Sequence, residues 1–170
     1  RKGDPIIVDT DEEPGRGKLE KIANLRTAFE KDGTITAANA SSINDGAAAL
    51  VVISAEKAAE LNSDPICKIV AQTSAAHEPL YFTTAPGKAI TKVLDKAGLT
   101  INEIDLFEIN EAFSNVTMAA MREHDIPHEK VNIFGGAVSM GHPIGASGAR
   151  ILVTLIAALK QKNQRLGLAT

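Results

Sequence analysis

Apolar and polar positions change rhythm near residue 34 of this 170-residue chain. Before it, "RKGDPIIVDTDEEPGRGKLEK" shows little periodicity and mixes charged residues with Gly and Pro, the pattern of a loop or connecting region. After it, the turn formers of "NASSINDG" lead into an apolar run, Ala47 to Ile53, whose length predicts a buried strand. "AEKAAELN" predicts a helix ending near Asn62 and stopped by Pro65. Elements then alternate: β-like "ICKIVAQTSA", an amphipathic helix "APGKAITKVLDKAGL" closed by Gly98, and an apolar strand "IDLFEI". A helical "EAFSNVTMAAMREHD", a strand "KVNIF", a helix "GASGARILVTLIAALKQK" and the start of a strand in "LGLAT" follow. Strands alternating with helices in this way require crossovers that lay helices on a sheet, so the expected class is α/β.

Composition narrows what such a domain does. A formal net charge of -3, with both signs mixed along the chain, offers no broad basic field for nucleic acid. Aromatics at 4% and the absence of Trp leave neither a stacking platform for bases nor an interfacial belt. The longest apolar stretch, Ile151 to Leu159, is interrupted by Thr154 and falls short of a membrane span. The expectation is therefore no nucleic acid and no membrane. A single cysteine, Cys67, excludes an internal disulfide framework, lacks the neighbours of a zinc site, and is expected to be a buried or partly buried structural thiol in a reducing compartment.

Two stretches carry candidate chemistry. In "EINEAFSN" the apolar strand ends at Asn110 and a helix is expected at once, which puts Asn110 where ligands collect in open α/β sheets. A plain N-cap accounts for the same placement. In "GGAVSMGHPIGASGAR", five glycines and a proline surround His142. It is neither a dinucleotide fingerprint, nor a phosphate loop, nor a nucleophile elbow. It is a loop that presents an imidazole, either as a structural turn residue or as a donor to an oxyanion. Glu111 is expected to serve a helix dipole or to support a neighbour, Phe113 to form wall or core, and Arg150 to pair with a carboxylate. His77, His124 and His128 are expected in exposed turns.

Taken together, "NEAFS" and the Gly-His-Pro stretch closely resemble the thiolase family, the acetyl-CoA acetyltransferases, as does "GTITAANASSINDGAAAL". The similarity runs from about Leu25 to Thr170. Ketoacyl synthases share the Gly-His loop but usually carry a second His at the position of Asn110, so Asn110 favours thiolases. The resemblance implies a layered thiolase-like fold with helices packed on a mixed sheet. It divides the chain into the end of a loop region (1–33), the last part of the N-terminal half (34–62) and a C-terminal half (63–170) that stops before its final strands. It implies reversible Claisen chemistry: two acetyl-CoA give acetoacetyl-CoA and CoA, or a 3-ketoacyl-CoA is cleaved by CoA. Coenzyme A is then a substrate, and no cofactor or metal is implied.

In that family His142 and Asn110 stabilise the enolate, Asn110 through a water. Ser41, flanked by Ala37, Ala38 and Ala40, lines the pantetheine arm, and Arg16 and Lys21 face the nucleotide end. Neither of the family's two reactive cysteines is present, and Cys67 matches neither. The chain alone is therefore expected to be inactive. A homodimer or homotetramer, in the cytoplasm or a mitochondrial matrix, is expected of the complete enzyme. The alternative is a non-catalytic module that binds CoA esters or acts as a scaffold.

Overall fold

The computed structural model describes residues 3–170. The chain divides into one unit that runs up to Ala38 and another from Asn39 to Thr170, a division that falls inside the stretch 34–62.

The first unit holds a short helix α1 (Glu13–Arg16), a 3-10 segment Leu19–Asn24 and a single antiparallel bridge between Thr27 and Thr36. None of its described residues is buried, as a loop region requires.

The second unit holds helices α2 (Ala55–Glu60), α3 (Ala85–Ala97), α4 (Ser114–His124), α5 (Ala137–Met140) and α6 (Ile144–Gln161), and strands β1 (Leu106–Glu108) and β2 (Gly167–Ala169). The strands pair in parallel, with Leu106 opposite Gly167, Phe107 opposite Leu168 and Glu108 opposite Ala169. Side chains alternate across a strand, so the pair is covered on both faces. Phe107 and Leu168 cluster with Ile90 and Leu94 of α3 and Ala120 of α4. Leu106 clusters with Leu155 and Ala158 of α6. A Cβ at Gly167 would come within 2.7 Å of Leu155 Cδ1, so glycine lets α6 approach. This helix–sheet–helix layering is the α/β architecture expected.

Amphipathic periodicity located the helices well. α3 buries Gly87, Ile90 and Leu94 and ends at Gly98, whose φ of 67° is the left-handed C-cap that glycine tolerates. α6 starts one residue before the expected Gly145, and by length and composition it is long enough to cross a membrane. Its buried residues Ser147, Ile151, Leu155 and Ala158 form one stripe, and Leu155 and Ala158 within it pack on Leu106 of the sheet.

Three expected strands do not form. Residues 47–53 form no regular element, with Val51 92% exposed, and among the described residues nothing hydrogen-bonds their backbone. Residues 66–75 are likewise unpaired; Lys92 and Lys96 of α3 donate to the carbonyls of Ser74 (2.9 Å) and Gln72 (3.0 Å). Cys67, on this segment, is consequently exposed rather than buried. Residues 131–134 form no strand: their backbone meets the sheet at a single bridge from Val131 to Phe107, beyond which Asn132 turns to a φ of 46°.

Candidate functional site

Three loops meet in the second unit. The segment containing Asn39, Ala40 and Ser41 lies antiparallel to residues 112–114. Ser114 N–H donates to the Asn39 carbonyl (2.9 Å), Ala40 bridges to Phe113, and the Ser41 N–H and hydroxyl both donate to the Ala112 carbonyl (3.1 and 2.9 Å). The Gly141–Pro143 turn joins them where His142 N–H donates to the Ser42 carbonyl (2.9 Å). At Gly141, φ is 93° and a Cβ would overlap the Asn44 side chain, so only glycine fits both the conformation and the space.

Asn110 is pinned by the sheet: Thr170 N–H donates to the Glu108 carbonyl (2.9 Å) and Asn110 N–H to the Thr170 carbonyl (2.8 Å). α4 begins only at Ser114 and its N-cap is Phe113. Asn110 is therefore at a strand end but not at the helix N-terminus, and the N-cap account of it does not apply. Its side chain points to His142, with Nδ2 3.5 Å from Nε2, while its Oδ1 is buried without a hydrogen-bond partner. The other imidazole nitrogen, Nδ1, lies 2.7 Å from the Ser147 hydroxyl at the start of α6. His142, half-buried, is thus held at both ring nitrogens and at its backbone.

A second layer steadies this corner. Asn132 accepts from Ile109 N–H (2.8 Å) and donates to the Ile109 carbonyl (2.9 Å) and to Glu111 Oε1 (2.8 Å), so its amide does for Ile109 what a neighbouring strand would. Glu111 also accepts from Val138 N–H (3.1 Å), in the first turn of α5. A Cβ on Gly136 would overlap its carboxylate. Glu111 thus supports neighbouring loops, as expected of it, and Phe113 is half-buried, its ring meeting Phe82 edge-on with centroids 6.2 Å apart.

Glu108 was not anticipated. It is 2% exposed on the α6 side of β1, and burial pushes its carboxyl up to about 7; Arg150 opposes this and Glu111 adds to it. The signal in the sequence was an acid flanked by Phe107 and Ile109 near the end of the expected strand. Arg150, expected in an ion pair, makes none within 4.0 Å among the described residues, and its Nε and Nη1 are buried without hydrogen bonds. His124 is not in an exposed turn: it is half-buried at the end of α4, with Nε2 2.9 Å from the Gly87 carbonyl oxygen. His77 and His128 are exposed.

The structure therefore brings together His142, Asn110, Ala40 and Ser41. Arg16, Lys21, Ala37 and Ala38 lie in the first unit. There Arg16 pairs with Glu12 and, at 3.7 Å, with Glu13; Lys21 and Ala37 are exposed, and Ala38 is half-buried. Beside the His142 turn, residues 44–48 and the first turns of α6 enclose a groove of about 350 Å³ lined mostly by small side chains.

Two family models cover nearly the whole chain: the thiolase N-terminal domain matches residues 1–56 and the thiolase C-terminal domain residues 63–170. The match thus begins well before Leu25. The chain is 48% identical over 170 residues to acetyl-CoA acetyltransferase IA of Candida tropicalis, covering 99% of this chain and 42% of that protein. Its fold is similar to the crystal structure of the Bacillus anthracis acetyl-CoA acetyltransferase (TM-score 0.89, 42% identity, 99% of this chain and 43% of that one). It is also similar to the Acat5 thiolase from Ascaris suum in complex with coenzyme A (TM-score 0.80, 45% identity, 89% of this chain and 40% of that one). The chain spans about two fifths of the length of these relatives.

Proposed function

The chain belongs to the thiolase family, and we propose that it supplies the enolate-stabilising part of an acetyl-CoA acetyltransferase site. The reaction is the condensation of two acetyl-CoA to acetoacetyl-CoA and CoA, or the thiolysis of a 3-ketoacyl-CoA. The observation that carries this reading is the approach of His142 Nε2 and Asn110 Nδ2 to 3.5 Å at a glycine-built corner. When both nitrogens carry hydrogens facing each other, they cannot bond to one another, but an oxygen set between them accepts from both. Condensation places such an oxygen there. Removal of a proton from the acetyl methyl group leaves a carbanion delocalised onto the thioester oxygen, and donors fixed in advance stabilise that charge by about 3 to 4 kcal/mol each.

The acyl group and the abstracted proton go to the cysteines of the thiolase family, which lie outside this chain; its one cysteine, Cys67, is exposed on the segment 66–75. Ser41 spends its hydroxyl proton on the Ala112 carbonyl, so what it offers a pantetheine amide N–H is a lone pair. Coenzyme A is a substrate in this reading. The complete enzyme is a homodimer or homotetramer in the cytosol or, in a eukaryote, the mitochondrial matrix.

In the enzyme completed by its cysteine-bearing remainder, His142→Ala lowers kcat for condensation by about a hundredfold to a thousandfold while the melting temperature stays near wild type. Near wild-type kcat in that variant would return His142 to the role of a turn residue. Binding of acetoacetyl-CoA without any turnover in the completed protein would favour the non-catalytic module instead.

A further inference from the structure

His142 can be neutral in two forms, with the hydrogen on Nδ1 or on Nε2, and only the second lets Nε2 donate. The choice is made by what faces Nδ1. The Ser147 hydroxyl, 4% exposed, has one proton and two neighbours: the Pro143 carbonyl at 3.1 Å and His142 Nδ1 at 2.7 Å. The Pro143 carbonyl already accepts from Ala146 N–H (2.7 Å) and Ser147 N–H (2.9 Å), one donor for each lone pair. A third donor there is redundant, whereas Nδ1 has no other partner among the described residues.

We propose that Ser147 is a positioning residue: its hydroxyl donates to His142 Nδ1 and so holds the imidazole with its hydrogen on Nε2, facing Asn110. The pair then becomes donor against donor at 3.5 Å, which suits an oxygen between them and disfavours a direct bond. The position of Ser147 follows from helix geometry. α6 begins at Ile144 after its N-cap Pro143, helical side chains lean toward the N-terminus, and a serine one turn in therefore reaches back past the helix start to Pro143 and His142. The importance of the tautomer rests on the enolate reading above; the tautomer itself does not.

The test uses the whole 170-residue chain labelled with ¹⁵N. Long-range ¹H–¹⁵N correlations through the His142 ring are recorded at about pH 8, above the ordinary imidazole range, with the four histidines assigned by single His→Gln substitutions. Wild type and Ser147→Thr, which keeps a hydroxyl, are expected to show the Nε2–H form. In Ser147→Ala the ratio of Nε2–H to Nδ1–H falls by about tenfold, the bias one buried neutral hydrogen bond gives. A dominant Nδ1–H form in wild type, or an unchanged ratio in Ser147→Ala, overturns the proposal. If Ser147→Ala loses the dispersed amide spectrum of the fold, wild type and Ser147→Thr decide: Nε2–H in both supports the proposal and Nδ1–H in wild type overturns it. A tautomer that shifts as expected, with no condensation activity in the enzyme completed by its cysteine-bearing remainder, would sink the enzyme reading alone. Activity with an unmoved tautomer would sink this one alone.

Discussion

Residues 106–109 and residues 47–53 are both short and mostly apolar, yet the first stretch is buried along its length and the second is largely exposed. The difference is in the backbone. β1 is paired with β2 on one side, and on the other Phe107 accepts from Asn132 N–H (2.9 Å) while the Asn132 side-chain amide serves Ile109. No such partner lies along 47–53 among the described residues. Apolar side chains make a strand worth burying, but a neighbour that satisfies its N–H and C=O groups decides whether it is buried. The candidate site sits at the end of the strand that has that neighbour.

The largest way to perturb the buried side is through Glu108. Its carboxyl is raised from an ordinary 4.5 to about 7, so the uncharged form is the one that suits the fold. The stability it contributes is fully present below pH 4.5 and is lost as pH rises through about 7, a decline of about 3 kcal/mol. Glu56, Glu103 and Asp105 have values lowered mainly by hydrogen bonds, so their effect lies at lower pH and runs the other way. Urea unfolding across pH 4.5 to 7.5 is expected to show the decline in wild type and to flatten in Glu108→Gln. Equal slopes in both proteins would remove Glu108 as its source.

A smaller effect separates the two regions directly. Asn132→Ala leaves the buried Ile109 N–H without its acceptor, while the Ile109 carbonyl keeps the Thr117 hydroxyl (3.4 Å), at about 1 to 3 kcal/mol. Val52→Ser, 71% exposed in the unpaired stretch, changes the stability of this chain by about 0.5 kcal/mol or less. Similar losses for the two variants in denaturant melts would mean that 47–53 is packed in solution and that the contrast is wrong.

What the sequence revealed followed from whether a feature is local. The amphipathic stripe and Gly98 of α3, the start of β2, and the glycines around His142 depend on residues within a few positions of one another, and all were legible. That 47–53 stays unpaired and that Cys67 is exposed were not, because pairing depends on a neighbour far along the chain that composition does not name. Asn132 ended an expected strand by swinging its own amide into the ladder, a side-chain choice invisible in apolar patterning. Resemblance to thiolases singled out His142 and Asn110 before any geometry was known. The contact between Ser147 and His142 was readable in principle from helix direction, but only once α6 is known to begin at Ile144 and not within "GASG".

The central claim is that His142 and Asn110 serve one oxygen. A double-mutant cycle on kcat for acetyl-CoA condensation in the completed enzyme tests it most directly, using wild type, His142→Ala, Asn110→Ala and the double variant, each checked by thermal unfolding. Shared service of one oxyanion predicts that the double variant loses less than the product of the two single losses. Losses that simply multiply, in proteins with unchanged melting temperatures, would show that the two side chains act independently and would contradict the account.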